Sequence, residues 1–176
     1  MKNLTIILIF ILSISLRAES HEVLNRDYSD CGLNQQSIKL AQLIIESENQ
    51  QRKVLYCDKT LSQAAFDKAK LMAKADSVSH NIEHTTPNQF LRSYGVKLPN
   101  EYPLFDNQVE AIMGAVSTAE DSFKVFMTSP DHKSHLLGET DFVVEQDQIG
   151  VGFFKDSDTT HVYYWVIYIT SIDSDD

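Results

Sequence analysis

The sequence is short of positive charge. Its 176 residues include 15 lysines and arginines against 25 aspartates and glutamates, which gives a net charge of −10. A surface of this kind repels the phosphates of nucleic acids and the headgroups of anionic lipids. We therefore expect no nucleic-acid partner.

Several common catalytic and cofactor motifs are also missing. The sequence has no G-x-S-x-G nucleophile elbow, no P-loop and no G-x-G-x-x-G dinucleotide motif. The acidic stretches "DNQVE" and "DSDTTHVYY" lack the glycine and the terminal glutamate of a calcium loop. The usual serine-hydrolase, nucleotide-binding and EF-hand designs are excluded.

A long hydrophobic run occurs near the amino terminus, where Lys2 precedes a mostly apolar stretch from Leu4 to Ile14. This stretch is shorter than the roughly 18 to 20 residues of a membrane-spanning helix. We interpret residues 1–18 as a secretory signal peptide, with a single membrane anchor as the alternative. Cleavage after Ala18 would remove Lys2 and Arg17, which moves the net charge from −10 to −12. We expect the mature chain to be secreted or periplasmic, without stable membrane insertion.

The sequence has two cysteines, Cys31 and Cys57. In an exported chain an even number of cysteines favours a disulfide. The closed loop would stabilise the fold by roughly 3 kcal/mol. Two separate buried thiols and a metal-binding pair are the alternatives, although no C-x-x-C spacing supports a metal.

The hydrophobic pattern predicts helices first and strands last. The first predicted helix begins at Gln36, and the second runs from Leu61 to Asp76 with Thr60 as N-cap. Two more helices are predicted at 87–95 and 117–129, and "SPDHKSHLL" (129–137) is predicted to be a turn that runs into a short helix. In the second helix we expect Leu61, Ala65, Ala69 and Met72 to face the core, with lysines on the opposite side.

The last third of the chain predicts a β-hairpin, because "QIGVGFF" and "HVYYWVIYIT" are rich in β-branched and aromatic residues. Residues 96–109 are expected to form a loop. Together these elements predict one α+β domain over residues 35–172. An N-terminal arm (19–34) precedes the domain and an acidic tail (173–176) follows it.

Two histidine pairs are candidates for chemistry. His80 and His84 are four residues apart in "SVSHNIEHTTP", and His132 and His135 are three apart in "SPDHKSHLL". Neither pair is a self-contained metal site, because "TTP" ends the first segment and no H-E-x-x-H motif is present. Together with a carboxylate, the two segments would suit a catalytic-type Zn²⁺ with an open position, or a histidine general base oriented by an acid.

Six segments, taken in their order along the chain, resemble the segments of a known protein family. They are "LIIESENQQR", which ends with Asn49 and Arg52, "LYCDKTLSQAAFDKAKLMA", "FLRSYGV", "VEAIMGAVSTAED", "FMTSPDHKSHLL", and the two strand segments taken together. This set resembles the CAP superfamily of cysteine-rich secretory, antigen 5 and pathogenesis-related proteins, in its bacterial extracellular SCP-like form. The resemblance covers about residues 38–170.

The resemblance implies an α-β-α sandwich, with a central antiparallel sheet between helix layers. It implies a cleft whose two histidines are His80 and His132 and whose acid is Glu110, the candidate metal ligands, with neutral Ser129 at a second acidic position of the family. The chain departs from the family in having "VEA" for "GEN". A second departure places Asp131 beside His132, where we expect the carboxylate to raise the histidine's pKa.

Each candidate has a structural alternative. His80 and His132 could be satisfied histidines left from an ancestral site, and Glu110 a surface carboxylate on a loop that enters a helix. We expect His84 and His135 at the rim or surface. Five further residues are expected to have structural roles, in the hairpin or in the packing of the sheet: His161, Tyr163, Tyr164, Trp165 and Tyr168.

Two functions follow. The first is a binding or interaction module for a small molecule, a lipid or a protein, with or without a divalent metal. The second is a hydrolase acting on peptide or cell-wall material, in which His80 and His132 hold Zn²⁺ or act as base and Glu110 orients them. In either case we expect a monomer.

Overall fold

The computed structural model describes residues 26–172. The predicted signal peptide (1–18), the first part of the arm (19–25) and the acidic tail (173–176) lie outside the described residues. Within 26–172, no helix combines the length and apolar character needed to cross a membrane.

Helices precede the main hairpin, as predicted, with two short strands among them. A 3₁₀ turn at Ser29–Cys31 leads into helices α1 (Gln35–Ile45), α2 (Lys59–Lys74), α3 (Pro87–Ser93), α4 (Ala119–Thr128), α5 (Pro130–Leu137) and α6 (Asp141–Val144). The strands are β1 (Tyr56–Cys57), β2 (Glu110–Gly114), β3 (Gln148–Lys155) and β4 (Tyr163–Thr170).

The four strands form one sheet in the order β1-β3-β4-β2. Strand β4 pairs antiparallel with β3 and with β2. The two residues of β1 pair parallel with β3. The sheet is therefore mixed, because the predicted antiparallel arrangement holds for three strands and β1 adds a short parallel edge.

Strand β4 is buried on both faces, and its alternating side chains separate two cores. Tyr164, Val166 and Tyr168 pack into a core shared with α2 and α3. Trp165, Ile167 and Ile169 pack into a core shared with α1, α4 and α5. All six side chains are fully buried. Helices thus cover both faces of the sheet, which is the α-β-α sandwich of an α+β fold.

The sequence-based prediction misplaces the start of one helix and misses one strand. Helix α2 begins at Lys59, and its N-cap is Asp58, whose carboxylate accepts a 2.7 Å hydrogen bond from the backbone N–H of Leu61. Thr60, the predicted N-cap, lies inside the first turn. Residues 110–114 form β2, whereas Glu110 was placed on a loop in one alternative. The strand is short and its first three residues are all buried, so it lacks the alternation that marks a strand.

Cys31 and Cys57 form a disulfide, as predicted. The bond joins the 3₁₀ turn before α1 to strand β1, 26 residues later in the sequence. Separate thiols and a metal pair are both excluded by it. A disulfide is compatible with an extracellular or surface location, because such bonds persist in oxidising compartments.

Helix α2 lies directly against β3 because two glycines of the strand leave room for its backbone. A β carbon on Gly150 would lie 2.2 Å from the backbone nitrogen of Ser62. A β carbon on Gly152 would lie 2.2 Å from the carbonyl oxygen of Ala65. The sequence "IGVGFF" therefore fixes the distance between helix and sheet as well as forming a strand.

We predict that Gly152→Ala lowers the free energy of unfolding by about 3 kcal/mol, because the methyl group meets helix backbone that cannot move alone. Gly95→Ala is the matched control. Gly95 has a φ of +80° and open space around it, so its substitution should cost only about 1 kcal/mol of backbone strain. Urea denaturation measures both variants, and equal losses would contradict the close-packing explanation.

Candidate functional site

A cleft of about 450 Å³ opens between the loop that precedes β2, the segment after α2, and helices α5 and α6. The structure brings His80, Glu110 and His132 together at this cleft. The other lining residues are Asn107, Gln108, Val109, Ser129, Asp131, His135, Phe142 and Val143.

His80 is held by a carboxylate. Its Nδ1 lies 2.9 Å from Glu110 Oε1 and 3.1 Å from the side-chain nitrogen of Asn107. The Asn107 amide also donates to the backbone carbonyl of Glu110 at 3.0 Å. Because a carboxylate only accepts hydrogen bonds, Nδ1–H donates to Glu110, and the Asn107 amide, itself a donor, bonds the Glu110 carbonyl and not the ring. The second ring nitrogen, Nε2, has no hydrogen-bond partner within residues 26–172, and the His80 side chain is 44% exposed.

Glu110 is a core residue, and its side chain is fully buried. One carboxylate oxygen bonds His80, and the other accepts a 2.7 Å hydrogen bond from the Tyr168 hydroxyl. The register of the sheet places the two residues opposite each other on β2 and β4. Lys68 adds an ammonium group 3.7 Å from the same oxygen. A buried carboxylate needs such partners to offset its lost hydration, so Glu110 is not a surface residue on a loop.

Lys68 was missed by the sequence-based interpretation, which placed the lysines of α2 opposite the core. Its side chain is fully buried, and its ammonium group donates to the backbone carbonyl of His80. Burial lowers the pKa of Lys68, while the Glu110 carboxylate opposes that change. The spacing could have revealed it, because Lys68 lies seven residues after Leu61 and four before Met72, on the same helical stripe.

His132 forms the opposite wall at the start of α5. Ser129 caps this helix, and its hydroxyl oxygen accepts a hydrogen bond from the His132 backbone N–H at 3.5 Å. Burial, followed by the nearby His80, lowers the pKa of His132, and Asp131 raises it by less. Asp131 acts in the expected direction, but burial of the imidazole outweighs it, because Asp131 is exposed and solvent weakens its effect.

His135, expected at the rim or surface, is partly buried in the cleft wall. Burial, with a smaller contribution from Arg52, lowers its pKa to about 4. The Arg52 guanidinium donates to the carbonyls of His135 at 2.8 Å and Leu136 at 3.1 Å. It therefore neutralises the carboxyl end of α5 and fixes the helix that carries both histidines.

The other candidates lie outside the cleft. His84 is exposed, with a φ of +63°, beside a separate pocket. His161 lies in the loop between β3 and β4, where its ring contacts Tyr164 edge-on at 5.9 Å. The aromatic cluster of β4 packs in the sheet as expected, and Tyr164, Trp165 and Tyr168 are fully buried. The bond from Tyr168 to Glu110 was not anticipated.

The fit of a metal is limited by Glu110, because both carboxylate oxygens are engaged by other side chains. Across residues 26–172, no three histidine, cysteine, aspartate or glutamate side chains are grouped as ligands for one ion. Of the three predicted ligands, the two histidines are left as candidates, and Glu110 makes the contact of a carboxylate that orients a histidine.

Comparison with known proteins adds information on the fold alone. No family model matches the chain, and no curated protein sequence matches it. Among solved structures, the chain is similar to an outer surface protein from Borrelia burgdorferi, with 20% sequence identity and a TM-score of 0.56. The alignment covers 77% of this chain and 88% of that one. The two proteins share an α+β architecture.

We predict that Lys68→Met lowers the free energy of unfolding by about 3 kcal/mol, because Glu110 loses its buried counter-ion. Adding Glu110→Gln should recover part of that loss, since the neutral amide needs no counter-ion. Lys74→Met, at a site where the lysine side chain is 76% exposed, should change stability by less than about 0.5 kcal/mol. Urea denaturation of the wild type, the two single core variants, the double variant and the Lys74→Met control tests the pairing, and simple additivity of the two core substitutions would contradict it.

We predict that the free energy of unfolding falls in acid because of His135. Its folded pKa of about 4 lies below the ordinary value of about 6.5, so the unfolded chain binds the proton more readily and stability falls as the pH drops from 6.5 to 4. After allowance for partial exposure, we expect about 2 kcal/mol of this loss to disappear in His135→Gln. The exposed control His84→Gln should keep the wild-type dependence. Denaturation curves at pH 7 and pH 4.5 measure the difference.

Proposed function

We propose that the chain is an exported binding module of the CAP/SCP-like class, and that its cleft holds a small molecule, a lipid or a segment of another protein. The observation that carries this proposal is that the carboxylate and the hydroxyl of the cleft are already engaged. Both oxygens of Glu110 bond other side chains, and the Ser129 hydroxyl caps α5. The imidazole edges and the cleft wall are left to contact a ligand.

The class rests on the sequence resemblance over residues 38–170 and on the sandwich architecture that this resemblance implied. The His80–Glu110 contact at 2.9 Å supports it further, because the resemblance had assigned those two residues, together with His132, to one cleft. The similarity to the Borrelia burgdorferi protein concerns architecture and is compatible with the same class.

The proposed location is secreted or periplasmic. Residues 1–18 supply the predicted signal peptide, and the disulfide between Cys31 and Cys57 suits an oxidising compartment. The structural relative from Borrelia burgdorferi is described as an outer surface protein, which agrees with export. The chain is proposed to act as a monomer.

A divalent metal, Zn²⁺ first, is proposed as a component that His80 and His132 would hold. The low pKa of His132 favours the neutral imidazole that ligates metals, and Glu110 would fix the orientation of the His80 ring. When bound, the metal would polarise a ligand carbonyl or lower the pKa of water. With two protein ligands, the remaining coordination positions would be open to the partner.

A hydrolase is the second candidate, favoured by the carboxylate–histidine pair. His80 hydrogen-bonded to Glu110 has the form of an oriented general base, and the resemblance leaves peptide and cell-wall bonds as substrates. This candidate ranks second because Ser129 makes no hydrogen bond to either cleft imidazole among the described residues. The reaction would therefore depend on an activated water.

We predict that the wild-type protein retains a peptide or peptidoglycan probe and releases it intact. Equilibrium dialysis against dye-labelled casein peptides and soluble peptidoglycan fragments measures retention, and mass spectrometry of the recovered probe measures cleavage. His80→Ala and His132→Ala should weaken retention about tenfold, because each removes one polar contact of a buried ligand group. His84→Ala is the matched control outside the cleft.

Cleavage that disappears in His80→Ala and His132→Ala but persists in His84→Ala would replace the binding module with the hydrolase. If the protein retains none of the probes, both candidates are contradicted. Elemental analysis of the purified native protein belongs to the same experiment. About one zinc per chain supports the metal-dependent form, and its absence removes zinc while leaving the binding proposal intact.

A further inference from the structure

Exposed apolar side chains lie in the cleft and in the loop that leads into it. Phe105 is 75% exposed, and Leu104 and Phe142 are each 47% exposed. Together these three residues form what we call the cleft mouth. Phe142 lines the cleft itself. Phe105 is two residues from Asn107, another lining residue, and two residues of chain span at most about 7 Å.

The loop that carries Leu104 and Phe105 is fixed by its main chain. The Thr86 hydroxyl donates to the carbonyl of Leu104 at 2.8 Å, and the Asn88 side chain donates to the carbonyl of Pro103 at 2.6 Å. The exposed side chains therefore stand on an anchored backbone. A partner that docked there would not have to order the loop, which reduces the entropic cost of binding.

Phe142 is held in a comparable way. Its ring lies 5.4 Å from the ring of Tyr102, which is itself 4% exposed and belongs to the core. The base of the mouth is thus rigid aromatic packing. Exposed apolar side chains on a rigid base are typical of sites that bind another molecule.

The chain segments that supply most of the cleft wall are acidic. Segments 101–110 and 129–143 carry five exposed acidic residues: Glu101, Asp106, Asp131, Glu139 and Asp141. The same segments carry one lysine, Lys133, which pairs with Glu139 at 3.0 Å, and the Arg92 guanidinium donates to the carbonyl of Tyr102 at 3.1 Å. The exposed acidic residues therefore exceed the lysine of these segments by four charges.

We infer that the cleft mouth is a docking surface for a basic, amphipathic peptide segment of a partner protein. Its apolar side chains would cover Leu104, Phe105 and Phe142, and its lysines or arginines would face the surrounding carboxylates. This inference rests on the proposed binding function and narrows it to one class of partner.

Other occupants are less favoured by the same charges. An anionic membrane surface would be repelled by the acidic excess. A second copy of this chain would bring two acidic rims together, which is destabilising for an interface. A basic segment is the partner that gains from both the apolar surface and the charge.

A labelled peptide of sequence KLFKKLFKKLFK tests the inference against the full mature chain. Fluorescence anisotropy should show saturable binding that weakens as salt rises. Phe105→Ser and Phe142→Ser should each weaken binding about tenfold, and Asp106→Asn combined with Asp141→Asn should weaken it and reduce the salt dependence. Tyr56→Ser is the matched control, because Tyr56 is 54% exposed at a separate pocket. It should leave binding unchanged, and the counterpart peptide ELFEELFEELFE should not bind.

Circular dichroism confirms the fold of each variant, so that lost binding is not lost structure. Absence of saturable binding, or an equal loss in Tyr56→Ser, overturns the inference. Binding to phosphatidylcholine vesicles that depends on Phe105 would replace the peptide with a membrane. Dimerisation in sedimentation equilibrium that depends on Phe105 would replace the peptide with a second copy of this chain.

If the basic peptide does not bind while peptidoglycan or casein probes are still retained, this inference alone is overturned. If no probe is retained, the proposed function is overturned as well.

Discussion

The burial of the Glu110 carboxylate is the constraint that organises the cleft. A charge without solvent must be compensated by its neighbours, and here the compensation comes from a lysine of α2, a tyrosine of β4 and a histidine after α2. Three elements are thereby tied to the first residue of β2. The His80 wall is consequently an extension of the hydrophobic core, and its imidazole is positioned by packing as well as by a hydrogen bond.

The opposite wall depends on a different cation. Burial lowers the pKa of Arg52 to about 10, well above neutral pH, so the guanidinium stays charged where it bonds the last carbonyls of α5. The first turn of that helix presents His132 to the cleft, and the last turn is fixed from behind. Two buried cations, one behind each wall, therefore hold the two imidazoles in place, and neither cation lines the cleft.

Local periodicity predicted the helix order and the hairpin, the pair of cysteines favoured the disulfide, and the α-β-α layering was implied by the family resemblance alone. The sequence was insufficient where long-range contacts decide. The core position of Glu110 depends on its register opposite Tyr168, and β2 has no alternating pattern of its own. His135 is partly buried in the cleft wall, on a helix whose last turn is bonded by Arg52, far away in sequence. Lys68 was recoverable from helical spacing, and only its charge argued against the core.

The disulfide has a consequence for solubility that goes beyond the stability of the monomer. Strand β3 is eight residues long, and among residues 26–172 its outer edge is covered by two short pieces, β1, which pairs at Gln148 and Ile149, and a single bridge from Gly32 to Val151, with one further hydrogen bond from the Asn34 side chain to the Phe153 carbonyl. The bond between Cys31 and Cys57 fastens both pieces together. A chain that folded without it would leave most of an apolar strand open to pairing with other chains. The disulfide thus helps to keep this strand from pairing with other chains.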